Sequence, residues 1–144
     1  METALTLTLP AELSQLPAFI AAVTKTAESS GLAPETIFNI ELALEEALVN
    51  VINYAYEGKN GDIQVVCRTG GGSFVVEITD TGAAFDMTAL PPPDLDADIA
   101  DRKIGGLGIH FIKVLAHPAT YRREQEKNIL SMTFCASEPC GQST

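Results

Sequence analysis

Leucine and threonine alternate along residues 3–9, the period-two pattern of a half-buried strand, and Pro10 ends it. The period then lengthens. Leu16, Phe19, Ile20, Val23 and Ala27 recur at helical spacing within residues 13–30, and Gly31 follows where a helix C-cap is expected. Pro34, a favoured first helical residue, opens a second helix. It carries Ile37, Ile40, Leu44, Leu48, Val51, Ile52 and Ala55 to about Tyr56, which makes it the longest element expected. Residues 62–69 and 73–80 predict strands joined at Gly70-Gly71-Gly72, a hairpin signal. That glycine run has neither a Lys-Ser/Thr nor a helix behind it, so it reads as a turn and not a phosphate loop.

After Asp80 the alternation dissolves. Residues 82–103 contain Pro91-Pro92-Pro93 and four aspartates between Asp94 and Asp101. A loop of that length inside one domain predicts a lid or a binding loop. Gly105-Gly106-Leu107-Gly108 then leads into a short helix at 109–115. Strands are expected at 119–124 and 128–135, with a turn at Gln125-Glu126-Lys127. This order predicts an α/β (α+β) two-layer sandwich, a mixed and mostly antiparallel sheet with helices on one face. Residues 1–136 are expected to form one domain and 137–144 a frayed tail.

Composition narrows the partners. A chain of 144 residues, 46% hydrophobic, can bury a single core. Nineteen acidic residues against nine basic ones give a net charge of −10. That argues against binding nucleic acid or anionic lipid, where affinity comes from neutralising phosphates, and leaves basic partners open. Cys67 lies in a strand pattern and reads as a small core hydrophobe. Cys135 and Cys140 have no histidine or second cysteine pair near them to complete a zinc site. His110 and His117 are the only histidines, and both are expected to be structural. With no basic, apolar leader and no run of about 18 apolar residues, the expected compartment is the cytoplasm, with no membrane partner.

Three segments carry candidate chemistry. Glu46 and Asn50 stand four apart in the second helix, so both share one face on adjoining turns. A carboxylate and a carboxamide so placed can steer a proton and hold magnesium, which takes hard oxygen ligands and keeps several waters. Alone, the pair reads equally well as a solvated helix face. Asp80-Thr81-Gly82 ends a strand, where an aspartate can accept a hydrogen bond from an exocyclic amine such as that of adenine. Alone, it reads first as an Asx turn. Gly105-Gly106-x-Gly108 opens a helix whose N–H groups can meet an anion. It is neither a Rossmann fingerprint, since Phe111 stands where the third glycine would fall, nor a Walker loop.

Together, in this order, the segments resemble the N, G1 and G2 boxes of the GHKL ATPases, with their Bergerat fold and ATP lid. The resemblance runs over roughly residues 3–134. Glu46-x3-Asn50-x3-Tyr54-Ala55-Tyr56 and Asp80-x-Gly82-x2-Phe85-Asp86 are similar to motifs of the anti-sigma-factor serine/threonine kinases within that superfamily. The chain departs from them at Tyr54, where histidine is common, at Val51, and at Ala83-Ala84. The resemblance implies Glu46 as catalytic base, Asn50 as magnesium ligand and Asp80 as partner of the adenine amine. Gly82 would allow close backbone approach, and Gly105, Gly106 and Gly108 would line the triphosphate, with Arg102 or Lys103 a candidate phosphate-facing charge. It further implies ATP and Mg2+, an anti-anti-sigma (STAS-type) acceptor, a sigma factor as second partner, and a homodimer. A nucleotide-dependent interaction switch without kinase activity is the alternative.

Overall fold

The computed structural model describes residues 1–89 and 112–135. Strand β1, Glu2–Pro10, is followed by a 3-10 turn at Leu13–Gln15 and helix α1, Leu16–Ser29. Helix α2 spans Pro34–Asn50 with Pro34 in its first turn and Glu35 favourably placed at the positive end of the helix dipole. Strands β2, Asp62–Gly70, and β3, Ser73–Asp80, form the first hairpin. Strands β4, Ala119–Glu124, and β5, Lys127–Cys135, form the second. Residues 112–115 are helical ahead of β4.

The strands make one sheet in the order β1-β2-β3-β5-β4. Each neighbouring pair is antiparallel, so among the described residues the sheet has no parallel component. The expected two-layer arrangement is present. Phe19, Val23 and Ala27 of α1 and Ile40, Leu44 and Leu48 of α2 share one core with alternate residues of the central strands. Along β3, Phe74, Val76, Ile78 and Asp80 are buried while the residues between them are half-buried. Each fully buried aliphatic or aromatic side chain contributes about 1.5–3 kcal/mol. A one-residue slip would turn Val76 and Ile78 to water and Glu77 and Thr79 into the core, so the register is fixed by burial.

Local chemistry refines two predicted boundaries. The second helix does not run regularly to Tyr56: after Asn50 it widens into a π turn, Val51–Ala55, in which the Tyr56 amide bonds Val51 O. The turn before β5 has two residues and not three. Gln125 and Glu126 take positive φ of 50° and 64°, the left-handed pair of a tight hairpin, and Lys127 already pairs with Glu124. At the other hairpin Gly71 and Gly72, at φ of 59° and 78°, fill the same role without steric cost. Among the described residues no helix is long and apolar enough to cross a membrane. The predicted lid, Gly105, Gly106, Gly108, Arg102, Lys103, His110 and the tail lie outside the described residues.

Candidate functional site

Glu46 and Asn50 stand on adjoining turns of α2, and the contact between them runs through the Glu46 backbone. The Asn50 side-chain amide donates through Nδ2 to the Glu46 carbonyl at 2.7 Å. That bond fixes the amide: its nitrogen is held by the helix backbone, so Oδ1 points away as a free acceptor. Asn50 is fully buried, and among the described residues neither its Oδ1 nor Glu46 Oε2 has a hydrogen-bond partner. A buried oxygen left unpaired costs about 1–3 kcal/mol. Two such oxygens on one face suit an oxygen-seeking cation and a proton, so the residues present fit magnesium. Burial, reinforced by the charge of neighbouring Glu45, holds the Glu46 carboxyl above its ordinary value. Those same causes make it a better proton acceptor than a solvated glutamate.

The π turn places the next wall. Widening the helix at Val51–Ala55 brings Ala55 O to the amide of Ala83 at 2.8 Å, and the Tyr54 ring onto Phe85 with centroids 5.4 Å apart. Tyr56 is buried, and its hydroxyl donates to Asp62 O at 2.6 Å and accepts from the Thr81 amide at 2.9 Å. Gly82 packs so closely on the turn that an added Cβ would stand 2.5 Å from Ala55 O. Asp86 accepts from the amide of Thr88 at 2.9 Å, capping the 3-10 turn Met87–Ala89.

Asp80, 3% exposed, stands at the end of β3, two residues before the Gly82 that packs on the π turn. Its Oδ1 accepts from the Gly82 amide at 2.9 Å, the Asx turn its sequence suggests, and from Asn128 Nδ2 at 2.9 Å. Burial pushes its carboxyl up. The bonds from Asn128 and Gly82 and the charge of Arg123 pull the other way without cancelling that effect.

Sequence reasoning missed Asn128, Arg123 and Tyr121. Asn128 lies opposite Asp80 in the β3–β5 register and is 4% exposed. Besides Asp80 it donates to Ala83 O at 2.8 Å, and its Oδ1 accepts from the Phe85 amide, the Tyr121 hydroxyl and Arg123. Arg123 also donates to Gly82 O at 2.9 Å. The local signal at Asn128 is a polar residue near the head of β5, which reads as a hairpin edge, while Tyr121 and Arg123 belong to the edge strand β4.

The helix pair and the strand-end aspartate loop stand on an antiparallel α/β sandwich consistent with the GHKL ATPase fold. The model of the histidine kinase-like ATPase domain matches residues 9–134, and the chain belongs to that family. Its relatives include a serine-protein kinase RsbW of Listeria monocytogenes, 28% identical over 120 residues that span 80% of this chain and 76% of that protein. The RsbW of Halalkalibacterium halodurans is 30% identical over 131 residues, 88% of this chain and 80% of that protein. A serine/threonine-protein kinase BtrW of Bordetella bronchiseptica is 30% identical over 97 residues, 67% of this chain and 68% of that protein. Within the family, the chain therefore sits with the anti-sigma-factor serine/threonine kinases.

Proposed function

We propose that this chain binds Mg-ATP and transfers the γ-phosphoryl group to a serine or threonine of an anti-anti-sigma, STAS-type partner. In the same reading it sequesters a sigma factor when that partner is absent, and it works in the cytoplasm as a homodimer. The observation that carries the proposal is the buried, backbone-oriented and unpaired Oδ1 of Asn50, one helical turn from a Glu46 whose carboxyl burial holds above its ordinary value.

Each residue then has a task. Asp80 accepts a hydrogen bond from the adenine amine, and Gly82 keeps the following backbone close to the pocket wall. Asn50 Oδ1 is the protein ligand offered to magnesium. Among the described residues no three His, Cys, Asp or Glu side chains gather to hold a metal unaided, which suits an ion brought in on nucleotide phosphates. Magnesium, when bound, neutralises charge on those phosphates. Glu46 accepts the proton of the attacking hydroxyl. By the family resemblance Gly105, Gly106 and Gly108 are assigned to the triphosphate, with Arg102 or Lys103 as the candidate phosphate-facing charge. The bond formed joins the acceptor oxygen to the γ-phosphorus, and the bond broken joins that phosphorus to the bridging oxygen of ADP.

Glu46→Ala tests this. Mg-ADP is expected to raise the melting temperature of wild type and variant alike, while phosphoryl transfer to the STAS partner falls on the order of 10²–10⁴-fold. Transfer at the wild-type rate would remove Glu46 from the chemistry. A wild type unmoved by millimolar Mg-ADP would overturn the nucleotide reading itself. Binding by the wild type with no transfer to any STAS protein would favour the interaction switch.

A further inference from the structure

Asn128 makes five hydrogen bonds to three segments of the chain. Its Nδ2 faces two acceptors, Asp80 Oδ1 and Ala83 O, at 2.9 and 2.8 Å. Its Oδ1 faces three donors: Phe85 N at 3.2 Å, Tyr121 Oη at 2.6 Å and Arg123 Nη1 at 3.1 Å. A side-chain amide offers two N–H groups and two lone pairs. Both kinds are therefore fully engaged within the protein, and the amide can point only one way.

Asp80 inherits that order. Among the described residues its two hydrogen bonds, from Gly82 N and Asn128 Nδ2, both fall on Oδ1. The carboxylate is thereby turned about its own axis until Oδ2 is the oxygen left to meet a ligand. Asn128 also grips the carbonyl of Ala83 and the amide of Phe85, so the loop that walls the pocket is pinned to the same side chain. Arg123 closes the clamp through Gly82 O.

We infer that Asn128 is a positioning residue that sets base selectivity: it aims Asp80 Oδ2 at the purine amine and so makes this site discriminate adenine from a base with a carbonyl there. With its amide engaged within the protein, Asn128 acts through Asp80. The inference rests on the nucleotide reading above and goes beyond it by naming the source of selectivity. A site built to pair with an amine rejects the analogue lacking it far more strongly than a merely apolar pocket would. Freeing Asp80 to rotate should therefore erode selectivity before it erodes binding of the phosphates.

The experiment compares Mg-ADP with Mg-IDP, whose base carries a carbonyl in place of the amine, by calorimetry on the full chain. The variants are Asn128→Ala and Asn128→Leu, which stays close to the original volume and loses the donor toward Asp80. Circular dichroism confirms folding, and the leucine variant covers failure of the alanine one. In the wild type ADP is expected to bind at least tenfold tighter than IDP. In both folded variants that ratio should fall about tenfold, mainly by loss of ADP affinity, and adding either change to Asp80→Ala should reduce it no further. Equal loss of both nucleotides, or an unchanged ratio, would overturn the inference while leaving the nucleotide site intact. A wild type that binds neither nucleotide would overturn the reading beneath it, and the inference with it.

Discussion

At Gly82 the requirement is for space, since its φ is not among the positive values of the chain's left-handed residues. An added Cβ would lie 2.5 Å from Ala55 O, 2.7 Å from Ala55 C and 3.0 Å from Ala55 Cβ, and the first two are backbone atoms that cannot swing aside. Either the π turn or the loop after β3 must retreat, and the Ala83 N to Ala55 O bond at 2.8 Å then stretches. Gly82→Ala is expected to cost about 1–3 kcal/mol, the usual range for overpacking. The shift in urea midpoint measures it, and Mg-ADP affinity should fall in parallel because Asp80 Oδ1 loses the Gly82 amide. A variant as stable as the wild type would show that the loop has room the geometry denies. Asn50 presents the opposite economy of space: it sits in the core without an apolar side chain because one of its two polar atoms serves the helix and the other is left for the site.

Among the elements, the π turn after α2 does most to hold the loop after β3, and it was not legible in the sequence. Ile52 and Ala55 keep an apolar stripe that a regular helix would share, and five residues are too few for hydrophobic spacing to separate the two helical periods. Both helices and the longer strands were legible because burial on one face imposes a period that runs for eight residues or more. Glu46 and Asn50 were legible for the same reason, since i and i+4 is itself a helical period. Asn128 was not, because its partnership with Asp80 spans 48 positions and depends on the antiparallel β3–β5 register. The turn's anchor is Tyr56, whose ring lies against Gly61, with an ideal Cβ there 2.3 Å from the ring edge. Tyr56→Phe keeps that packing and removes the bonds to Asp62 O and Thr81 N. At about 0.5–1.5 kcal/mol per bond the loss should be about 1–3 kcal/mol in urea denaturation. Faster hydrogen exchange at the Thr81 amide should accompany it, and unchanged exchange would mean that the hydroxyl does not hold the loop.

Taken as a whole, the molecule is acidic, with a net charge of −10, and two of its carboxyls are held where ionisation is costly. Folding raises Glu46 and Asp80 above their ordinary values of 4.5 and 3.8, in both cases chiefly by burial. In the interval between the ordinary and the raised value, the folded state holds a proton that the unfolded chain has already released. Stability therefore falls as pH rises through that interval, and above it the whole penalty for the charged form remains. Mutual repulsion among the excess carboxylates acts in the same direction. The urea midpoint of the nucleotide-free protein is thus expected to decline as pH rises from the ordinary carboxylate values toward neutrality. Subtracting a Glu46→Gln variant isolates one group: the variant should be the more stable at neutral pH and its decline with pH shallower. Parallel curves for wild type and variant would show that Glu46 ionises in the fold as freely as in water. Divergent curves would mean that the fold bears, in the absence of nucleotide, the cost of keeping a ready proton acceptor beside Asn50.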